Sequence, residues 1–164
     1  SVDNAHSNVG FTVKHMMVTN VHGKFTSYDA KVEFDDATKT FKKLVANIDT
    51  NSIDTGIEKR DNHLRSDDFF AVEKFPKMTF EMTSYKADGD DGKMTGNLTI
   101  RGITKPVVLE VEDISVLGDK VGFSIEGKIN RQDFDLKWNK AIELGGVAVS
   151  DEVKIKVDIE AKKQ

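Results

Sequence analysis

Hydrophobic and polar side chains alternate along most of this chain, which is the period of a β-strand with one buried face. Residues 152–160 show the alternation most regularly, with Val153, Ile155 and Val157 on one face and charged side chains on the other. The same pattern recurs in shorter stretches around Phe11, Phe34, Leu44, Phe80, Leu98, Leu109 and Phe123. We therefore predict about eight antiparallel strands, each with one apolar face.

One predicted strand changes phase part-way along its length. Within residues 24–34, Phe25 lies on the opposite face from Ala30, Val32 and Phe34. A phase change of this kind predicts a bulge or a sharp bend inside the strand, and the strands of small closed barrels need such bends.

Turn-forming residues separate the later strands. The acidic and glycine-rich residues 88–92 predict a turn, as does the RGITKP sequence that begins at Arg101. Gly118-Asp119 lies between two apolar stretches and predicts a two-residue hairpin turn, because glycine supplies the positive φ that such turns require. A glycine-rich loop containing the single Trp is predicted from Asn130 to Gly146.

The stretch from Asn51 to Pro76 is the one part of the chain whose pattern is helical. Thr55 and Glu58 have the spacing of a capping box, which predicts a helix that ends near Arg65 with Ile57 and Leu64 on one face. A second helix is predicted to begin at Ser66, where two acidic residues follow an oxygen cap, and to end before Pro76.

Together these elements predict a mainly β protein. An eight-stranded sheet of this type folds either as a two-layer sandwich or as a closed barrel, and closure removes the exposed edges that a long terminal strand would otherwise offer to other chains. We predict a closed eight-stranded antiparallel β-barrel, with the helical stretch as an insert at its mouth. At 164 residues the chain fits one domain, 1–164.

Charge and composition exclude several classes of protein. The net charge of −4 and the interspersed acidic and basic residues provide no basic surface for nucleic acid or anionic membranes. The absence of Cys excludes disulfides, thiolate metal sites and a Cys nucleophile. No apolar run is long enough to span a membrane. The chain begins at Ser1 without an initiator Met, as removal of a signal peptide or trimming would leave it.

The sequence contains no recognisable catalytic or metal-binding motif. Its four histidines form no HxH or HxxxH pair, adjacent acidic residues fall where turns and helix caps are predicted, and nucleophile-elbow, phosphate-loop and dinucleotide motifs are absent. We therefore predict no metal site, no cofactor and no enzymatic activity. The apolar interior is the remaining candidate, and periodicity alone cannot distinguish a filled barrel from a hollow one.

Several long motifs appear in a characteristic order. They are DNAHSNVGFTVKH from Asp3, SIDTG from Ser52, RDNHLRSDDFFAVEKFP from Arg60, GNLTIRGITKPV from Gly96, INRQDF from Ile129 and GGVAVSDEVKIKVDIEA from Gly145. In this order and spacing they closely resemble the YceI-like family of bacterial lipid-binding proteins. The resemblance covers essentially the whole chain. One departure is Asp135, which stands where the family usually has Gly, and it is expected to affect a turn.

The resemblance implies a barrel of lipocalin-like shape that holds a long isoprenoid, of polyprenyl or quinone type, or a fatty amide. It further implies a secreted, periplasmic protein that transports or stores this lipid in connection with stress, that forms a homodimer, and whose signal peptide is removed before Ser1. A filled barrel acting through its outer surface and an enzyme acting on a lipid are the two alternatives.

The expected ligand-binding residues combine apolar interior positions with family motif positions. They are Phe11, Val13, Phe25, Ile48, Leu64, Phe69, Phe70, Met78, Phe80, Met82, Met94, Leu98, Ile100, Phe123 and Trp138. Asn62, His63 and Arg65 are expected either to contact a head group or to lock the insert to the barrel. For His6 and Arg65 the locking role is favoured.

Overall fold

A computed structural model describes residues 1–16, 18–139 and 149–163 of the protein. The described part contains ten strands and one short α-helix, α1 (Glu58–Arg65). The strands are β1 (Asn8–His15), β2 (Thr19–Phe25), β3 (Tyr28–Asp35), β4 (Thr40–Asp49), β5 (Ile53–Asp54), β6 (Lys77–Asp88), β7 (Asp91–Ile100), β8 (Ile103–Leu117), β9 (Lys120–Asn130) and β10 (Val149–Lys162). The predicted loop 130–146 is described only as far as residue 139.

All ten strands belong to a single antiparallel sheet whose order is β3-β4-β6-β7-β8-β9-β10-β1-β2-β5. Most neighbours in this order are also neighbours in sequence and are joined by short turns. The exception that shapes the molecule is β10, the last strand, which pairs with β9 on one side and with β1, the first strand, on the other. The two ends of the chain are thereby brought together in the middle of the sheet.

The sheet is curled into a half-barrel, and the prediction of a closed eight-stranded barrel is wrong. Among the described residues, β3 and the short β5 form the two edges, and no ladder joins β3 to β2. The end of β4 and the segment after it lie against the connection between β2 and β3, because the backbone N–H of Thr26 donates to Ser52 O at 3.2 Å and that of Asp49 donates to Ser27 O at 2.9 Å.

The predicted bend within residues 24–34 is present, and it divides the stretch into two strands. β2 ends at Phe25 and β3 begins at Tyr28, with Thr26 and Ser27 between them. The phase change in the hydrophobic pattern therefore marks the point where the chain leaves one edge region of the sheet for the other.

The insert contains one helix, so the prediction of a second helix is wrong. Ser66 follows the end of α1, and its hydroxyl donates to the carbonyl of His63 at 2.5 Å. The capping box is also wrong: Ile57 precedes the helix without a side-chain cap, and the Thr55 hydroxyl donates to Asp61 at 2.5 Å. Ile57 is 52% exposed, so Leu64 alone of the predicted pair packs inward.

Three predicted turns are confirmed. Gly118 has φ +62° and lies in the two-residue turn between β8 and β9. Gly102, with φ +73°, belongs to the turn between β7 and β8. Asp135 has φ +61° and ends the 3-10 helix Arg131–Phe134, which explains why a glycine suits this position.

One end of the half-barrel, which we call the floor, is filled by side chains. Phe41 is 2% exposed and lies at its centre, with ring centroids 4.8 Å from Phe34, 5.1 Å from Tyr85 and 4.8 Å from Phe123. Aromatic pairs at such distances stabilise a core beyond the area they bury. The floor also contains the fully buried side chains of Met94, Val111 and Ile114.

Candidate functional site

Beyond the floor the interior is hollow. A cavity of about 340 Å³ extends between the curled sheet and the insert, and its size lies within the range usual for small-molecule sites. Apolar side chains from nine of the ten strands line it, including those of Val9, Val21, Val32, Ala46, Phe80, Leu98, Leu109, Phe123 and Ile155. The same inward-facing alternation that predicted the strands therefore produces an apolar chamber.

The structure places most of the predicted ligand-binding residues on the wall of this cavity. Those lining it are Phe11, Val13, Phe25, Ile48, Leu64, Phe69, Phe70, Met78, Phe80, Leu98, Ile100, Phe123 and Trp138. Residues from the first strand to the segment after β9 thus converge on one space. Whether they contact a ligand stays a prediction.

Met82 and Met94 do not line the cavity. Met94 is fully buried at 0% exposure, and its neighbours across the sheet are Tyr85 and Leu109. Met82 pairs with Gly96 and packs against the buried core. Both methionines are inward-facing as their strand positions require, but the interior at Met94 is already occupied by the aromatic side chains of the floor.

A network of polar groups fixes α1 over the cavity. The buried carboxylate of Asp61 accepts hydrogen bonds from the Thr55 backbone N–H at 2.9 Å and from the Thr55 hydroxyl. Arg60 donates to the Thr55 hydroxyl and to the Thr55 carbonyl, both at 2.7 Å. Thr55 and Arg60 also line the cavity, so this network contributes polar groups to a wall that is mostly apolar.

His63 is the predicted head-group residue that lines the cavity. Its Nε2 lies 2.9 Å from Asp68 Oδ2, and its ring makes edge contacts with Phe69 and Trp138 at centroid distances of 5.1 and 4.8 Å. These contacts orient the imidazole between a carboxylate on one side and two aromatic rings on the other. His63 therefore joins the insert to the segment that follows β9.

Asn62 and Arg65 lie outside the cavity wall. Arg65 donates to the carbonyls of Asn51 at 3.0 Å and Ile53 at 3.1 Å, and to the Asn62 side-chain oxygen at 2.9 Å. These contacts connect α1 to the segment before it. They are the contacts expected of a residue that locks the insert, whereas a head-group role for either residue stays a prediction.

Arg131, which the sequence did not single out, organises the other side of the cavity. Its side chain is buried, and its guanidinium donates to the carbonyls of Leu136, Trp138 at 2.9 Å, Ser150 at 2.8 Å and Val149 at 3.2 Å. Burial lowers the pKa of Arg131 from its ordinary value. The INRQDF motif contained the signal, because an Arg in an irregular segment beside a strand end has the donors that unpaired carbonyls need.

A third arginine joins the insert to the sheet. Arg101, in the turn after β7, donates from Nη1 to the carbonyls of Asp67 and Phe69, both at 2.7 Å. Together, the segments 55–72 and 131–138 form what we call the cover of the cavity. Irregular segments leave carbonyls without ladder partners, and Arg65, Arg101 and Arg131 supply the missing donors.

Residues 1–161 match the model of the YceI-like domain. The chain belongs to this family. Protein YceI of Salmonella newport is 38% identical over 164 residues, which cover 97% of this chain and 83% of that protein. Within the described residues, no helix has the length and apolar character that crossing a membrane requires.

Solved structures of YceI proteins and other proteins share the fold. The Campylobacter jejuni YCEI protein, crystallised for nanotechnology applications, is 41% identical with a TM-score of 0.82 and covers 100% of this chain and 97% of its own. BcnA of Burkholderia cenocepacia is 27% identical with a TM-score of 0.88, covering 99% and 100%. A polyisoprenoid-binding domain from Saccharophagus degradans, 17% identical with a TM-score of 0.69, covers 100% and 98% and shares the fold.

Proposed function

We propose that this protein binds the long apolar chain of an isoprenoid, of polyprenyl or quinone type, or of a similar amphiphilic lipid, in the cavity between its sheet and its cover. It carries or stores the lipid without changing it chemically. The observation that supports this most directly is the cavity itself, about 340 Å³ of space with a wall made almost entirely of apolar side chains.

The physical basis is the transfer of hydrocarbon from water into a dry space, which contributes about 0.8 kcal/mol for each buried methylene. A cavity of about 340 Å³ encloses part of such a chain, and the affinity rises with the number of methylenes enclosed, less the cost of ordering them. We expect the complex to survive purification. Among the polar side chains on the wall, those of Thr55, Arg60 and His63 lie on the cover and are suited to orient a head group.

The relatives favour the same function. The Saccharophagus degradans domain that shares this fold is described as polyisoprenoid-binding, and the chain belongs to the YceI-like family. We extend this to a periplasmic location, with carriage or storage of the lipid under stress as the biological role, and to a homodimeric state. Each of these extensions is a proposal that follows from family membership.

The polar groups of the cavity favour binding over catalysis. A hydrolytic or transfer reaction needs a nucleophile and a base that are free to meet the substrate. Here the Thr55 hydroxyl is hydrogen-bonded to both Arg60 and Asp61, and His63 Nε2 is hydrogen-bonded to Asp68. These contacts hold the cover in place, and the corresponding test is whether bound lipid is recovered chemically unchanged.

The decisive experiment is mass spectrometry of an organic extract from protein purified out of the envelope of its own host, beside native mass spectrometry of the intact protein. We expect one prenyl or acyl species per chain. An absence of lipid in both measurements would contradict the proposal and would favour a protein that acts through its outer surface.

A variant that fills the cavity tests where the lipid lies. Ala46 lines the cavity, and Ala46→Phe adds a ring to existing empty space, so we expect a folded protein that retains little lipid. Ala87→Phe is the matched control, since Ala87 is exposed on β6. Equal lipid content in the two variants would show that the ligand occupies another site.

A further inference from the structure

Three side chains with metal-ligating atoms meet on the outer surface, away from the cavity wall. His6 is the last residue of the 3-10 helix Asn4–His6, Asp3 directly precedes that helix, and Glu160 lies near the end of β10. His6 Nδ1 is 2.8 Å from Asp3 Oδ2 and 3.8 Å from Glu160 Oε2, and one ligand atom from each residue lies within 4.8 Å of the others. The three atoms are thus close enough together to reach one cation, which would take the place of the proton in the hydrogen bond between His6 and Asp3.

The backbone holds the two segments in register independently of these side chains. The N–H of Asp3 donates to the carbonyl of Glu160 at 2.8 Å, and the N–H of Glu160 donates to the Ser7 hydroxyl at 3.1 Å. The main chain thus places Asp3 and His6 beside Glu160, although more than 150 positions separate them in sequence. A site that is preorganised in this way loses little conformational entropy when it binds an ion.

Each carboxylate directs one oxygen at the shared space while its other oxygen has a separate partner. The second oxygen of Asp3 accepts from the N–H of Ala5 at 3.0 Å, and the second oxygen of Glu160 lies 3.5 Å from Lys120 Nζ. Outer partners of this kind orient the ligands of metal sites. Two carboxylates outnumber the single ammonium of Lys120, so with His6 neutral the local charge favours a cation.

From this geometry we propose that Asp3, His6 and Glu160 bind a divalent transition-metal ion such as Zn²⁺. Zinc lies about 2.0–2.2 Å from nitrogen and oxygen ligands, which puts adjacent ligand atoms about 3–3.5 Å apart. The two separations from His6 Nδ1, 2.8 Å to Asp3 Oδ2 and 3.8 Å to Glu160 Oε2, lie on either side of that range, so side-chain rotation brings the three atoms to it. The imidazole selects transition metals over Ca²⁺ and Mg²⁺, which prefer oxygen. The His6 side chain is 68% exposed, so water completes the coordination. The bound ion fastens the first residues of the chain to its last strand.

This site is independent of the lipid function, and its test does not depend on lipid. Protein treated with a chelator is titrated with Zn²⁺ by isothermal calorimetry, and we expect one site per chain with micromolar affinity. His6→Gln and Glu160→Gln each remove one ligand and are expected to weaken binding at least about tenfold. Ca²⁺ at the same concentration is expected to produce no saturable binding.

Two matched variants control for adventitious binding. His22→Gln and Glu152→Gln change an exposed residue of the same type outside the cluster and are expected to leave Zn²⁺ affinity unchanged. Lys120→Met removes the one nearby ammonium and is expected to tighten binding. If His6→Gln and Glu160→Gln bind Zn²⁺ as tightly as the unchanged protein, the ion is adventitious only and the proposal is overturned.

A paramagnetic probe locates the ion without any variant. Substoichiometric Mn²⁺ is expected to broaden the amide signals of Ala5, His6 and Glu160 first, to spare those of α1, and to be displaced by Zn²⁺. Broadening that begins elsewhere would contradict the assignment.

Discussion

The floor and the cover close the same interior by different means. At the floor, Phe41 and its aromatic neighbours fill the space between strands, and stability comes from buried apolar area. At the cover, the chain is irregular, and Arg65, Arg101 and Arg131 donate to carbonyls that have no partner in a ladder. Packing resists separation over its whole area, whereas the hydrogen bonds of the partly exposed Arg65 and Arg101 can exchange for bonds to water one at a time. The cover is therefore expected to open more readily than the floor.

The largest difference is expected when one side chain of the filled floor and one side chain on the wall of the cavity are each shortened to Ala. Phe41→Ala should lower the free energy of unfolding by about 3–5 kcal/mol, because it leaves a void in filled space. Ile155→Ala should cost at most about 2 kcal/mol, because Ile155 already borders the cavity. Urea denaturation of the lipid-free proteins measures both. Equal losses would mean that the cavity collapses when empty.

Removing the buried guanidinium of Arg131 should destabilise the cover while leaving the floor as stable as before. Arg131→Met leaves four carbonyls without their donor, for a loss of about 2–3 kcal/mol, and it should speed hydrogen exchange in residues 131–138 more than at the floor. Native-state hydrogen exchange measures the difference. Lys128→Met, on the exposed face of β9, is the control and should change neither region. Uniformly faster exchange would show that cover and floor open as one unit.

A smaller effect of opposite sign is expected at the end of the 3-10 helix in the cover. Asp135 has φ +61°, so Asp135→Gly removes backbone strain and should raise the free energy of unfolding by about 0.5 kcal/mol. Asp135→Ala keeps the strain without the tolerance of Asp for this conformation and should lower it by a similar amount. Thermal unfolding of the pair tests the sign, and two changes of the same sign would rule out strain as the cause.

The smallest effect is expected at Glu112, which belongs neither to the floor nor to the cover. The charge of nearby Glu126 raises the pKa of Glu112, so the folded state binds this proton more tightly than the unfolded state does. Stability from this group is therefore present at low pH and is lost as the pH rises towards the raised pKa. Glu126→Gln should return the pKa of Glu112 towards its ordinary value, as followed by NMR of the side-chain carboxyl. Glu152→Gln should leave that pKa unchanged.

Local pattern predicted the strands and their turns well, because the alternation of side chains and the turn glycines act within a few residues. The same pattern could not predict the seam between β2 and β3. The alternation shows which face of a strand is buried. Closure of a barrel depends instead on what the two edge strands pair with, and here residues 49–52 bond to the connection between β2 and β3. The cap prediction at Thr55 failed for a related reason, since the Thr55 hydroxyl accepts from the charged Arg60 side chain in place of a backbone N–H of the helix.

The prediction of the site residues also succeeded where it rested on local pattern and failed where it depended on the folded chain. Inward-facing apolar residues on the strands were placed on the cavity wall, but the fully buried Met94 showed that facing inward does not mean facing empty space. The group of Asp3, His6 and Glu160 lay beyond the reach of spacing rules, because Glu160 is more than 150 positions from Asp3 and His6 and only the folded backbone brings it beside them. Arg131 was missed because its partners are backbone carbonyls, which every sequence contains.

The position of β10 between β9 and β1 sets the order in which the molecule can form. A ribosome releases residues 149–162 after every other strand of the sheet, so β1 lacks one neighbour and β9 lacks its second until these residues emerge. The β1–β2 and β8–β9 hairpins can form earlier, but joining them requires contacts between segments far apart in sequence, which are slow to reach. Two strand edges therefore stay unpaired on the nascent chain, open to chaperones or to aggregation, until β10 inserts between them.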